Sequence, residues 1–364
     1  MTGMDDRTLL CSAPDELRVG TRRMVIYAEG SFTPLDAKTA VCLVRFVGDE
    51  VVAVIDSSRA PTTTGEAIGF GGDIPVVASL EEALTYKPNS MVIGMAPKGG
   101  MLPEGAYEVI KVALSKGLHI ISGMHQFLSD DEDLSKLARE SGAVIWDVRK
   151  PPQNLSISSG NQCPYCPVVL TVGSDCNTGK MTAGMVLYEA LLSRGINVSF
   201  AASGQTGIMV TGRGIPVDRV VSDFIGGATE RLVLESAVGK DVVLLEGQGS
   251  ILHPGYAGVT IGMIAGALPH AMILCHQPSR KVIWNYTVPI PPLDELVKLY
   301  ENAISGIMKI PVIGVSLNTF DLEESQARQV IFEARETTGL PVTDPVRFGP
   351  DPLVEAIVKI IEKE

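Results

Sequence analysis

The chain has no long hydrophobic run. Its longest apolar stretches, such as 259–268, are short and broken by glycine, whereas a membrane span needs about 20 apolar residues in succession. No transmembrane helix and no membrane partner are expected. Positive charge is also in short supply: 30 Lys and Arg against 42 Asp and Glu leave a formal charge of −12. That argues against a nucleic-acid partner, whose footprint is a basic face. The first ten residues contain no basic segment leading into an apolar one, so no secretory signal is read there. The six cysteines, at 11, 42, 163, 166, 176 and 275, are scattered, a usage that fits a reducing cytoplasm. Cys163-Pro-Tyr-Cys166 is the one C-x-x-C, and neither a second pair nor an H-x-x-x-H completes a zinc site. It is given no catalytic role. A dinucleotide fingerprint is missing too: Gly69-Phe70-Gly71-Gly72 follows no clear strand and opens no clear helix. The stretch from Gly94 to Gly100 directly follows a strand and is a candidate lining of a crevice.

What is present describes a soluble globular chain of two domains. Hydrophobic residues make up 45% and charged residues 20% of 364 residues, ample for two cores. After a loosely attached lead-in over 1–20, residues 24–28 read as a strand. Residues 41–46 and 51–55 are β-rich and read as strands joined by a tight connection at Asp49-Glu50. The Thr- and Gly-rich stretch 61–73 reads as a loop. Ser79, with Glu82 three residues on, reads as the cap of a short helix over 79–84. Strands at 90–94, 118–122 and 143–146 then alternate with helices at 103–116 and 131–141. Such alternation predicts a parallel sheet covered on both faces, an α/β, Rossmann-like domain over 1–150. Residues 151–166, with Pro-Pro, Ser-Ser-Gly and no periodicity, read as a linker.

The stretch 168–182 organises the remainder. An apolar run, 167–172, meets Gly173-Ser174-Asp175-Cys176-Asn177-Thr178-Gly179-Lys180, and a helical pattern over 181–194 follows at once. Strand, Gly-rich loop, lysine and helix N-terminus is the order a phosphate cradle needs. The loop's N–H groups and the helix dipole face the anion, and the lysine adds a full charge. Five residues rather than four separate Gly173 from Gly179, and Met181 stands where a Ser or Thr normally follows the lysine. Thr182, one step later, is left to reach a magnesium ion. Residues 167–364 therefore read as a P-loop NTPase-like domain built on a doubly wound parallel sheet.

Further strands are read at 196–202, 241–245, 271–275 and 311–317, and helices at 294–307, 322–338 and 352–363. Past the strand ends stand Ser203-Gly204-Gln205-Thr206-Gly207, Glu246-Gly247-Gln248-Gly249-Ser250, His276-Gln277 and Asn318-Thr319. A doubly wound sheet places its site on that edge, so these segments are expected to converge near Lys180. Glu246, after four apolar residues, has the position of a Walker-B-like acid and could hold a metal ion, with Thr182, if magnesium is used. Asp175 could meet a metal or a substrate amine. Asp223 suits either a helix cap or a base, and His253 could be a general base near neutral pH. Arg213, Arg231 and Arg280-Lys281 are candidates for gripping an anionic substrate. The apolar stretch 283–292 reads as an exposed loop, from which a homo-oligomer is expected.

The loop from Gly173 to Lys180 resembles that of dethiobiotin synthetase and related amide-forming P-loop enzymes, which share the five-residue spacing. Four further motifs are Gly-Lys-Met-Thr182, Ser203-Gly-Gln-Thr-Gly-Ile208, Leu245-Glu-Gly-Gln-Gly-Ser250 and Asp344-Pro-Val-Arg347. With these and its Rossmann-like first half, the whole chain resembles a family long known as a domain of unknown function. Some members of that family are described as D-glutamate N-acetyltransferases. Met181 is a trait of that family, while Ser174 and Asn177-Thr178 depart from the Thr and Ala-Val expected in close relatives. The resemblance implies transfer of an acetyl group from acetyl-CoA to the amine of D-glutamate, with the P-loop holding the donor's phosphates. The reaction needs a base, donors for the oxyanion and cations for the carboxylates. Glu246, Asp223 or His253 would be the base, and Lys180 or loop N–H groups, across Gly173 to Thr182, would hold the anion. Gln205, Thr206, Gly207, Arg213 and Gln248 would meet the substrate. Two other readings stay open: an ATP- and magnesium-dependent ligase or carboxylase of the dethiobiotin synthetase type, and a nucleotide-binding protein without turnover. The missing hydroxyl after Lys180 weighs against the first, and the polar strand ends weigh against the second.

Overall fold

The computed structural model describes residues 10–34, 36–95 and 100–363. The first stretch of chain gives β1 (Cys11–Ser12), β2 (Met24–Tyr27), α1 (Lys38–Phe46), β3 (Val51–Ile55), β4 (Thr62–Thr63), α2 (Thr64–Ile68), β5 (Pro75–Val77) and α3 (Leu80–Leu84). There follow β6 (Ser90–Ile93), α4 (Ala106–Ser115), β7 (His119–Ser122), α5 (Glu132–Ser141), β8 (Ile145–Asp147), β9 (Val168–Gly173), α6 (Lys180–Ser193), β10 (Val198–Ala201), α7 (Gln205–Thr211) and β11 (Arg213–Gly214). The rest is α8 (Ile225–Ala237), β12 (Val242–Leu245), α9 (Ala257–Ala267), β13 (Ala271–His276), α10 (Leu293–Asn302), β14 (Val312–Leu317), α11 (Glu324–Thr338), β15 (Val342–Thr343) and α12 (Asp351–Ile361). The chain divides into two compact units, one of Met1–Pro152 with Gln205–Arg219, the other of Gln153–Gly204 with Val220–Glu364.

The first unit holds a sheet in the order β4-β5-β3-β2-β6-β7-β8, parallel except for β4. With β2 central and the chain changing sides between β3 and β6, this is the order of a doubly wound dinucleotide-binding sheet. Both faces are covered, which is why β2 and β6 are buried at every position and, Ser90 apart, read as apolar runs. The ribose-binding acid of such folds follows the second strand. Here that place belongs to Asp56, which is fully buried and accepts hydrogen bonds from the N–H groups of Gly30 (3.2 Å), Phe32 (2.8 Å) and Ser58 (2.9 Å). Its carboxylate shapes the neighbouring turn.

Three expectations for this half are corrected. Residues 41–46 lie in α1, not in a strand: Thr39, Ala40, Leu43 and Val44 form one buried stripe, and parallel β2 and β3 need a crossover rather than a tight turn. The stretch 61–73 is more than a loop, because Thr63 and Glu66 form a capping box that starts α2 and Gly69 ends it in the left-handed region. The lead-in is attached from Leu10 onward, with β1 paired to β11 and Leu17 fully buried. Of the proposed crevice lining 94–100, residues 96–99 lie outside the described residues.

The second unit is a six-stranded parallel sheet, β10-β12-β9-β13-β14-β15. All six residues of β9 are buried, and the chain leaves it for β10, returns through β12 and continues on its other side with β13. That reversal opens the crevice at the carboxyl end of β9. Two helices that the sequence reading left unassigned, α8 and α9, pack at their glycines, where a Cβ on Gly266 would overlap the Gly226 carbonyl. Residues 156–159, expected in a linker, lie on α8: a Cβ on Gly227 would overlap the Ser156 carbonyl, and Ser159 N donates to Glu230 at 2.7 Å.

Candidate phosphate-binding site

The loop between β9 and α6 closes around the Lys180 ammonium. Lys180 is buried and its Nζ donates to the Asp175 carbonyl at 2.8 Å. A Cβ on Gly173 would stand 2.7 Å from Thr178 Oγ1 and 2.9 Å from Lys180 Nζ, so only glycine lets the strand end approach so closely. Asn177 (φ 57°) and Gly179 (φ 97°) turn the chain through the left-handed region into the first turn of α6, which carries Met181 and Thr182. The loop is braced from behind. Tyr300 Oη donates to the Gly173 carbonyl at 2.6 Å, Ser250 Oγ to the Ser174 carbonyl at 3.1 Å, and Ser174 N to Cys275 O at 2.9 Å. Burial pushes the Tyr300 hydroxyl up to about 12, so it stays a donor.

Loops that follow the neighbouring strands of this unit lie against the turn. Glu246 is buried past β12; its Oε2 accepts from Ser203 N and Gly204 N, each at 3.1 Å. Gln248 Nε2 donates to Ser203 Oγ at 3.1 Å. A Cβ on Gly247 would overlap the Thr171 carbonyl and lie 3.5 Å from Lys180 Cδ, which places this segment against the lysine stem. Past β14, Asn318 Nδ2 is 3.8 Å from the Cβ position of Gly179. There Asp344 accepts from Thr319 N and Thr319 Oγ1 at 2.9 and 2.7 Å, and Arg347 donates to Thr319 O at 2.6 Å. The Asp344-Pro-Val-Arg347 motif thus holds the loop that bears Asn318.

Two histidines face the loop. His253 Nδ1 accepts from Gly255 N at 3.1 Å, so in the neutral ring the proton sits on Nε2. Its ring stacks on Tyr256 and meets Tyr286 edge-on, with centroids 4.5 and 5.0 Å away. Burial lowers its pKa, Asp175 opposes that, and Lys180 adds to it. A neutral ring with Nε2–H is a hydrogen-bond donor. His276, noticed in the sequence only as a polar strand end, has Nδ1 2.9 Å from Ser174 Oγ. Burial, reinforced by Lys281 and Arg280, lowers its pKa to about 4, so it is neutral at physiological pH.

Asp175, Cys176 and His253 bring oxygen, sulfur and nitrogen atoms within 4.8 Å of one another, a spacing that could suit a metal ion. The Asp175 carboxylate and one ring nitrogen of His253 are otherwise engaged. Asp175 is fully buried and bonded to Arg280 (2.9 Å), Trp284 N (2.8 Å) and Cys176 N (2.7 Å), and His253 Nδ1 is taken by Gly255. Arg280, expected to grip the substrate, grips Asp175. The stretch 283–292 is only partly the exposed loop that was expected: Trp284 and Tyr286 are about half exposed, but Ile283 is fully buried and pins the turn.

Asp223 and Arg231, also expected in the site, have other partners. Asp223 is exposed in the turn before α8, bonded to its neighbour Ser222 at 3.5 Å; among the described residues no hydrogen bond or ion pair joins it to the loop. Arg231 pairs with Glu235 one helical turn away. Gln205, Thr206, Gly207 and Arg213 belong to the first unit. There the Gln205 amide sits between Gly123 O and Arg149, Thr206 Oγ1 is 3.2 Å from Thr39 Oγ1, and Arg213 pairs through its backbone with Ser12. Cys163 and Cys166 are buried free thiols, and burial pushes Cys166 up to about 11, which fits a packing role.

Residues 57–151 match the Rossmann-like Domain of unknown function (DUF1611_N), and residues 157–354 match the P-loop Domain of unknown function (DUF1611_C). The chain is 36% identical over 288 residues to a Tritonibacter scottomollicae protein named D-glutamate N-acetyltransferase, covering 78% of this chain and 85% of that one. A Pseudoalteromonas protein of the same name is 32% identical over 280 residues, covering 76% and 83%. The crystal structure of a DUF1611 family protein from Anabaena variabilis matches with a TM-score of 0.88 at 40% identity, over 93% of this chain and 99% of that one. Among the described residues no helix is long and apolar enough to cross a membrane.

Proposed function

This chain belongs to the DUF1611 family, and we propose that it is an N-acetyltransferase that moves the acetyl group of acetyl-CoA to the amine of D-glutamate. The names of two relatives supply the reaction class. The observation that carries the donor is the loop itself: Lys180 and the N-terminus of the long helix α6 meet in one turn, a cradle for the phosphates of coenzyme A. The amine nitrogen attacks the thioester carbonyl, a C–N bond forms, the C–S bond breaks, and coenzyme A leaves as the thiol. Of the three expected bases, we assign Glu246, which is buried and immediately precedes Gly247, the residue packed against the Lys180 stem. His253 presents Nε2–H and suits the developing oxyanion instead. Asp223 is set aside because it is exposed.

The test is release of free thiol from acetyl-CoA with D-glutamate, EDTA and no ATP. Thiol that appears only with the amino acid supports the proposal. No thiol, but phosphate released from magnesium-ATP when an amino acid is present, replaces it with the ligase reading.

A further inference from the structure

The phosphate loop contains a charge of the wrong sign. Asp175 is fully buried within it, and a carboxylate placed among groups that attract an anion opposes that anion. The charge is met on both oxygens. Oδ2 accepts from Arg280 Nη1 (2.9 Å) and Trp284 N (2.8 Å), and Oδ1 accepts from Cys176 N (2.7 Å). Arg280 also donates to Cys176 O at 2.6 Å and to Gln277 Oε1 at 2.7 Å. One nitrogen, Nη1, thus joins the carboxylate to the Cys176 carbonyl while Nη2 holds Gln277, a planar three-point arrangement that a lysine does not reproduce. Arg280 stands at the root of a hairpin closed by Ile283 N to Val288 O and Ile290 N to Lys281 O.

Resting on the reading that this loop holds the donor's phosphates, we propose that Arg280 is the loop's internal counter-ion. It is a positioning residue that cancels Asp175 and fixes the Cys176 peptide, and it does not touch substrate. Its loss leaves a buried uncompensated carboxylate facing the incoming phosphates; removing that carboxylate as well removes the repulsion.

The proposal is tested by titrating acetyl-CoA, ATP and inorganic pyrophosphate into wild type, Arg280→Met, Asp175→Asn and the double variant. Binding is read by calorimetry. Trp284 emission in a Trp146→Phe background reports whether the hairpin is docked. Arg280→Met is expected to weaken the anion that wild type binds by about 30-fold or more, and the double variant to recover most of that loss. Arg280→Lys, which keeps the charge and loses the fork, is expected to lose only about 5-fold, and is the comparison used if Arg280→Met does not fold. An Arg280 that contacts the anion directly leaves the double variant as weak as Arg280→Met, and one that only fastens the hairpin leaves it weaker still. Either result overturns the proposal. If wild type binds ATP and not acetyl-CoA, the acetyl-donor reading falls, and the same rescue decides the counter-ion on ATP. A wild type that binds none of the three overturns both.

Discussion

Lowering the pH should destabilise the second unit through His276. The ring is buried against Ser174 and its pKa drops from 6.5 to about 4, mainly because burial penalises the imidazolium. Below 6.5 the unfolded chain takes up a proton that the folded chain refuses, so stability falls as pH falls and the loss is complete below about 4. At about 1.36 kcal/mol per pKa unit the full loss is roughly 3.4 kcal/mol, of which about 2 kcal/mol falls between pH 7.5 and pH 5. Buried carboxylates titrate too, so the informative quantity is a difference between proteins. His276→Gln can still hydrogen-bond Ser174 but cannot be protonated. Urea unfolding of both proteins at the two pH values, followed by Trp284 emission in a Trp146→Phe background, should show a shallower loss in the variant by about 2 kcal/mol. Equal losses in the two proteins would refute the reasoning and place the acid sensitivity elsewhere.

Lys180→Ala should raise the acetyl-CoA KM about 10- to 100-fold, the worth of a hydrogen bond from a charged donor, in steady-state thiol release. His253→Phe keeps a ring between Tyr256 and Tyr286 but loses Nε2–H. It is expected to cut kcat by about 10²- to 10³-fold with little change in either KM, and an unaltered kcat would remove His253 from the oxyanion. Gly247→Ala drives a methyl into the Thr171 carbonyl and should cost roughly 4 kcal/mol or more, seen as loss of soluble protein or a collapsed Tm. Asp56→Ala strips three N–H groups of their buried acceptor and should cost about 3 kcal/mol in thermal unfolding. NAD should give neither wild type nor variant any thermal protection.

The sequence showed most clearly what is written locally. Strand, loop, lysine and helix at 168–182 adjoin one another, and near-continuous apolar runs such as β2, β9 and β13 mark strands buried on both faces. Local signals also failed where packing overrode them. The β-branched residues of α1 suggested a strand until the need for a crossover decided otherwise, and the glycines of α9 hid a helix whose close packing requires them. The chemistry of the site was least legible, because its partners are distant in sequence. Asp175 and Arg280 are 105 residues apart and Ser174 and His276 are 102 apart, and neither pair leaves a spacing that a motif could report.

The membership of residues Gln205–Arg219 in the first unit sets a timetable for the nascent chain. The sheet of that unit is finished at β8, ending with Asp147, yet Arg22 waits for the Met209 carbonyl, Thr39 for Thr206, and Arg149 for Asp218. All three partners are translated only after the phosphate loop has been made. An amino-terminal fragment stopped at residue 152 therefore leaves a buried guanidinium short of an acceptor, and ribosome-bound chains should acquire protease resistance in this half only once residue 219 has emerged. A gene cut at the midpoint that its two domains suggest is expected to yield a first half that does not reach protease resistance alone.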